Sequence, residues 1–311
     1  MGSCLTVIIP VLNAMPYLPE ALASLEAQTF RDFEVCLWDN GSIDGSVEEA
    51  RRWIPDRIPG RVVVGCPLPL HECLAAMVEE ARTEFVARMD GDDVCLPHRL
   101  TRQMDFLAKN PEVSLVGGQI ECIDPLGRIL PKEAWASYSL THSDIVSRMM
   151  ILGPFNHPSI FFRRHAVLQV GNYKVPAPVE DHSLYLELVQ GRRVANLPDV
   201  LTHYRIHPAS ICASAGKEGK HNQLALEQTA IQAAKVFGIR RSVFLNLRGK
   251  CHPVSILPLL KSAIFRSKNE RVRGLDLLLS KDFIMAGRYM TSEKDLFSKA
   301  FWHFLEFAKK S

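Results

Sequence analysis

The sequence predicts an α/β protein built on a Rossmann-like, mostly parallel sheet with a helical appendage at its C-terminal end. Short apolar runs alternate with amphipathic stretches of helical period through the first part of the chain, the pattern of βαβ units. The runs are apolar throughout rather than alternating, as expected of strands buried on both faces. From about Lys217 the pattern turns almost wholly helical.

The elements follow in order. Leu5-Thr6-Val7-Ile8-Ile9-Pro10 is β-branched and apolar, a first buried strand that Pro10 is expected to end. Leu18, Leu22 and Leu25 share one face of a helix from about Pro16 to Gln28. Residues 33–38 form a second strand, closed by the turn residues Asp39-Asn40-Gly41-Ser42. A helix opens at Ser46, with Ser42 or Asp44 as its cap. Residues 61–64 are a third strand, 72–82 a helix and 85–89 a fourth strand. Residues 97–110 are helical and 113–118 a further strand, with shorter strands at 159–162 and 194–197 in a mixed second half. No internal repeat or low-complexity segment interrupts this series.

Length and composition bound the possibilities. At 311 residues the chain suits one large domain with an appendage, or two domains, and 47% hydrophobic with 23% charged residues is the balance of a soluble globular protein. No apolar stretch reaches the roughly 18 residues of a membrane span. No basic segment precedes the first apolar run, so a secretory signal is not expected. Met1-Gly2-Ser3-Cys4-Leu5-Thr6 fits an N-myristoylation pattern but reads better as the lead into the first strand. Eight cysteines without a Cys-x-x-Cys pair read as reduced thiols in the cytoplasm, with no zinc site. Residues 1–215 carry 19 Lys and Arg against 26 Asp and Glu, whereas residues 216–311 carry 18 against 8. This asymmetry places a domain boundary near residue 215. The basic region, with Ile256, Leu257, Leu260 and Phe265 beside Lys261 and Arg266, suits peripheral contact with an acidic lipid surface, or a helical appendage packed on the core or at a dimer surface. Nucleic acid is not an expected partner.

The chemistry is concentrated where strands end. Asp90-Gly91-Asp92-Asp93 places three carboxylates within four residues, directly after the fourth strand. Such crowding is unfavourable unless a cation neutralises it, and carboxylate oxygens suit Mg²⁺ or Mn²⁺, ions that usually arrive with substrate phosphates. Asp39 stands at the end of the second strand, before a glycine-containing turn and a helix start, where it can serve the turn or accept from a nucleobase N–H or a sugar hydroxyl. In open parallel sheets these ends line one crevice.

The order of these motifs resembles family 2 glycosyltransferases of the GT-A fold over roughly residues 5–215. The segments that carry the resemblance are Val7 to Asn13, Asp39 to Ser42, Asp90 to Asp93 with Pro97 and Arg99, Asn156 to Ser159, Val179 to His182, and Tyr204 to Ile211. The resemblance implies that Pro10, Val11 and Asn13 lie near the base of a nucleotide-sugar. It implies that Asp39 hydrogen-bonds that base, that Asp90 contacts the ribose side, and that Asp92 holds the metal, with His207 approaching it from the C-terminal side. It also implies that Asp181 is the general base, supported by Glu180. A divalent ion would neutralise the diphosphate leaving group, and a single base with in-line displacement would invert the anomeric carbon. The donor implied is UDP-linked, and the acceptor a hydroxyl of a glycan or of a lipid-linked carrier.

Three departures from the pattern matter. Asn40 replaces a second acidic residue, and the Asn and Gly often found near Ala75 and Met77 are absent, with His71 as a surface residue nearby. Arg163-Arg164 and Arg192-Arg193 read as solvated, with one of them holding acceptor or phosphate as the alternative. A nucleotidyltransferase would want a basic Gly-rich loop after the first strand, and Asn13-Ala14-Met15-Pro16 has no cation. A non-catalytic nucleotide-sugar or glycan-binding module would have no need of Asp181.

Overall fold

The computed structural model describes residues 3–131, 137–149, 153–176 and 179–210, together with 232 and 236. Eight strands form one sheet in the order β3-β2-β1-β4-β7-β6-β8-β5. The first half is β1 (Leu5–Val11), β2 (Phe33–Asp39), β3 (Gly60–Val64) and β4 (Phe85–Arg88), all joined in parallel. The second half is β5 (Val94–Cys95), β6 (Val113–Ile123), β7 (Phe161–Arg163) and β8 (Arg193–Arg205). There β6 and β8 run parallel, while β4–β7, β6–β7 and β5–β8 are antiparallel. The sheet is therefore mostly parallel with a mixed second half.

Helices cover both faces. Against one face, α1 (Leu18–Glu26), α2 (Ser46–Trp53) and α4 (Arg99–Lys109) pack Leu22, Leu25, Ala50, Trp53 and Leu107 onto Val7, Ile9 and Leu37. Against the other, α3 (Leu70–Glu80), α5 (His142–Met149), α6 (Arg164–Gln169) and α7 (Glu180–Leu188) pack Leu74, Met77, Ile145, Val167 and Leu184 onto Ile8, Val86 and Phe162. Alternate residues of β1 thus feed opposite cores, which is why its sequence is continuously apolar.

Several details differ from the sequence reading. Pro10 does not end β1. Met89 N–H donates to Ile8 O and Asn40 N–H to Val11 O, so the peptide groups of β1 alternate between β4 and β2 and Pro10 faces the β4 side. Pairing with β4 stops at Ile8 and Arg88, so the missing N–H of Pro10 leaves nothing unmade. The residue before α2 is Gly45, with φ of 92° and no side-chain cap; Asp44 instead accepts from the Ser46 backbone N–H, and Ser42 caps nothing there. Arg163 and Arg164 are structural rather than solvated. Arg163 donates to Leu107 O and Val113 O, and Arg164 to Val78 O and Glu79 O, closing the ends of α4 and α3. His71 is mostly buried beside Glu72, with 13% of its side chain exposed. The six cysteines among the described residues are free thiols. No helix of the described residues is long and apolar enough to cross a membrane. The basic region expected over 216–311 lies outside the described residues, except for Gln232 and Val236.

The register makes one backbone position especially demanding. Gly60, opposite Val35, has φ of 148°, and a Cβ there would stand 2.1 Å from the Val35 carbonyl oxygen. Gly60→Ala should destabilise the fold by about 1–3 kcal/mol or more. Urea unfolding checks this; an unchanged midpoint would show that the β2–β3 start can shift at no cost.

Candidate active site

The C-terminal ends of β1, β2 and β4 meet on one edge, and short polar contacts fix their loops. Asp39 is 1% exposed, and its carboxylate accepts from the backbone N–H groups of Gly41 and Ser42 at 3.1 Å. Asn13, with φ of 52°, accepts at its side chain from Ile43 N–H at 2.9 Å and donates its own N–H to Ser42 Oγ at 2.8 Å. Val11 stands opposite Asp39, and Pro10 opposite Trp38, in the parallel register. Asn40 clamps the next loop, its carboxamide donating to Leu68 O at 2.7 Å and accepting from Leu68 N–H at 2.8 Å. A Cβ on Gly91 would lie 3.1 Å from Ala14 and 3.3 Å from Val11, so the acidic loop packs directly on the end of β1. The structure therefore brings Pro10, Val11, Asn13, Asp39 and Asp90 to one edge.

The acidic cluster differs internally. Asp90, Asp92 and Asp93 each present an oxygen within 4.8 Å of the others, a donor set fit for a hard divalent cation. Both oxygens of Asp90 are engaged by Arg88, at 2.5 and 2.9 Å. Desolvation pushes the Asp90 carboxyl up, Arg88 pulls it back, and Asp92 adds to the rise. Asp93 is fully buried and accepts the Arg205 backbone N–H at 2.8 Å; burial and its acidic neighbours push it well up. Asp90 and Asp92 are both partly exposed, and His207 Nε2 stands 2.8 Å from Asp92 Oδ2. That contact spans 115 positions of sequence. It exists because β5, directly after the acidic loop, pairs Val94 with His203 and Cys95 with Thr202 on β8.

A second acidic pair opens α7. Glu180 and Asp181 occupy its first turn, where the positive end of the helix dipole favours them. Asp181 accepts from the His182 backbone N–H at 2.6 Å and is half-buried. Glu180 is 6% exposed and faces His157 Nδ1 at 3.9 Å, while His157 Nε2 is 2.9 Å from the Tyr173 hydroxyl. Burial, reinforced by Arg88, holds His157 well below the ordinary histidine range, so it is neutral at physiological pH. Arg88 therefore stands between the two acidic groups, within electrostatic reach of Asp90, Asp93 and Glu180.

Arg88, Tyr173, Arg205 and Glu20 belong to this network without being expected from the sequence. Arg88 had a signal, being a lone cation in an apolar strand two residues before Asp90 and on the same face. Tyr173 and Glu20 reach the site only through tertiary contacts across long stretches of chain.

An open α/β sheet with helices on both faces and an acidic cluster at its carboxyl edge is the architecture of GT-A glycosyltransferases. The family model described as Glycosyl transferase family 2 matches residues 6–171. This chain belongs to glycosyl transferase family 2 and is a glycosyltransferase. It is 30% identical over 248 residues to the amylovoran biosynthesis glycosyltransferase AmsE of Erwinia amylovora, covering 78% of this chain and 91% of that protein. It is 27% identical to the O-antigen biosynthesis glycosyltransferase WbnJ of Escherichia coli, covering 68% of this chain and 83% of WbnJ. In fold it is similar to S. aureus TarS 1–349 in complex with UDP-GlcNAc, with a TM-score of 0.64 at 18% identity, covering 100% of this chain and 92% of that one.

Burial, then the charge of Asp181, pushes Glu180 up to about 7. Folded Glu180 holds its proton over a range where the unfolded chain has released it. Its contribution to stability is thus complete at low pH and is lost as pH rises to about 7. Glu180→Gln should flatten this loss, so the variant gains stability relative to the unaltered protein between about pH 5 and about pH 8. Urea midpoints at the two pH values check it, and parallel profiles would contradict it.

Proposed function

We propose that residues 1–215 form a metal-dependent, inverting transfer domain that moves a sugar from a nucleoside diphosphate, UDP-linked, to a hydroxyl of a glycan or lipid-linked acceptor. The observation that carries this reading is the Asp92–His207 pair, in the same acidic loop as Asp90, which lies within electrostatic reach of Glu180.

In this reading Asp39 retains acceptor capacity for a base N–H, with Pro10, Val11 and Asn13 shaping the same edge and Asp90 meeting the ribose side. Asp92 and His207 supply the protein's ligands to Mg²⁺ or Mn²⁺, and the donor's phosphates supply others. When bound, the ion neutralises charge on the departing diphosphate. Asp181 takes the proton of the acceptor hydroxyl as that oxygen attacks the anomeric carbon. Glu180, whose carboxyl is pushed up to about 7, carries less negative charge beside Asp181 than an ordinary carboxylate does. Support for a nucleotide-sugar donor comes from fold neighbours such as TarS with UDP-GlcNAc and the Pyrobaculum calidifontis mannosyltransferase PcManGT with GDP-Man and Mn²⁺. Support for a lipid-linked acceptor comes from a relative, 24% identical, named as a galactosyltransferase acting on a diphosphoundecaprenol.

Calorimetric titration with UDP-, GDP- and dTDP-sugars, each with Mn²⁺ and with EDTA, tests the donor. Metal-dependent binding of the UDP-sugar is expected; binding that ignores EDTA would remove the metal from the reading. Asp92→Ala should abolish that metal-dependent binding. Asp181→Asn should bind donor normally but lose transfer by about 10²–10⁴-fold, and full transfer would unseat Asp181 as base.

The same proposal places the protein at the cytoplasmic face of a membrane, with the basic 216–311 region touching anionic lipid. Co-sedimentation with anionic vesicles should fall when that region is deleted, and equal sedimentation would argue against the contact.

A further inference from the structure

We infer that Arg205 is a positioning residue for the Asp92–His207 pair, fixing the geometry in which that pair takes a divalent cation, with Glu20 as its anchor. The inference rests on the metal reading given above.

Arg205 ends β8 with only 1% of its side chain exposed, yet its guanidinium touches neither carboxylate oxygen of Asp92. Nε donates to the Asp92 main-chain oxygen at 2.8 Å. Nη1 donates to Asp124 O at 3.1 Å and Pro125 O at 3.4 Å, and Nη2 to Glu20 Oε2 at 2.5 Å. Its backbone N–H is held by Asp93 Oδ1 at 2.8 Å. One residue thus ties the acidic loop, the turn after β6 and α1 to the end of β8. The guanidinium lies 4.8 Å from the Tyr17 ring centroid, and His207 neighbours the same ring, at 4.9 Å between centroids. Both partners of the Asp92–His207 contact are therefore located by Arg205, Asp92 through its carbonyl and His207 through the shared Tyr17 ring.

The nature of the partners separates positioning from charge neutralisation. Three of the four side-chain acceptors are main-chain oxygens, which demand a planar fork of donors in fixed directions. A lysine keeps the positive charge but presents its three donors from a single nitrogen, so it cannot reach these separated acceptors together. Groups that orient metal ligands without touching the ion typically change metal affinity about 10–100-fold when altered. Glu20 is the accessible end of the clamp, with 54% of its side chain exposed and 185 positions between it and Arg205.

The test is a Mn²⁺ titration of the whole protein in the presence of UDP, following the free-ion signal by electron paramagnetic resonance. The unaltered protein, Arg205→Lys, Glu20→Ala and Asp92→Ala are compared, with unfolding midpoints in EDTA alongside. Arg205→Lys should weaken Mn²⁺ affinity by about tenfold or more. Glu20→Ala should weaken it by less, with its midpoint in EDTA unchanged. Affinity equal to the unaltered protein in Glu20→Ala, or in a folded Arg205→Lys, while Asp92→Ala loses Mn²⁺, overturns the positioning role alone. A lowered midpoint with unchanged affinity also overturns it, since the contact is then structural only. Should Asp92→Ala take up Mn²⁺ as well as the unaltered protein, the metal reading itself fails.

Discussion

Arg88 lies at the end of the central strand with 4% exposure, its fork closed on Asp90 and its charge within reach of Asp93 and Glu180. Removing carboxylates from water on both sides of one strand end is strongly unfavourable unless a cation is buried with them. Arg88 supplies that cation permanently, whatever else is bound. Even so, Asp90, Asp93 and Glu180 are all pushed toward their neutral forms, so the built-in compensation is partial. Asp92, with 26% of its side chain exposed, is the member of the cluster that meets His207. Further positive charge brought to this edge would relieve the crowding of its carboxylates.

The mixed half of the sheet exists, in effect, to deliver this arrangement. β4 alone would leave its acidic end open, but β7 pairs antiparallel to it and β6 and β8 follow. The short β5 then returns beside β8, carrying the acidic loop to the strand that ends in Arg205 and His207. A buried polar tie holds this in register. Arg99 is 1% exposed and donates to Arg88 O at 2.7 Å and Ile160 O at 3.3 Å, while Gln103 reaches Ser159 O at 2.8 Å. Gln28, on the chain leaving α1, closes the start of α4 by accepting from Leu100 N–H. These amide and guanidinium contacts satisfy main-chain groups where four segments converge without a regular ladder.

How much of this was legible in the sequence depended on whether the signal was local. β1 through β4 and the helices between them were readable because each carries its own period and its own turn residues, as in Phe33 to Ser42. β8 was read only over its first residues, since Pro198 and Asp199 interrupt the apolar run before Leu201 resumes it. The two-residue β5 carries no period at all and is a strand only because β8 lies beside it. At the site, the acidic cluster announced itself by residue type, whereas the Glu180–Asp181 pair stood out only through the family resemblance. Their counter-charges did not, because the partners of Arg205 come from positions 20, 92, 124 and 125. The expectation that Arg163 and Arg164 were solvated failed for the same reason, the main-chain acceptors they cap being remote in sequence.

The substitution at Asn40 shows what such non-local contacts do for binding. A second carboxylate at this position would meet the Leu68 carbonyl oxygen with like partial charge. The carboxamide instead offers one donor and one acceptor to the same residue, and both are used. Asp39 keeps the acidic function, its loop held by Gly41, Ser42 and the Asn13 crosslink, while Asn40 locks the following segment against it. The chain thereby exchanges a charge at this edge for a wall that is already in place. Ordering that wall in the folded protein removes part of the conformational entropy otherwise lost on binding, and this favours affinity as directly as another contact would. An edge so constrained has its shape set in the folded chain, with Asp39 and the Asp90 to Asp93 loop supplying its charge.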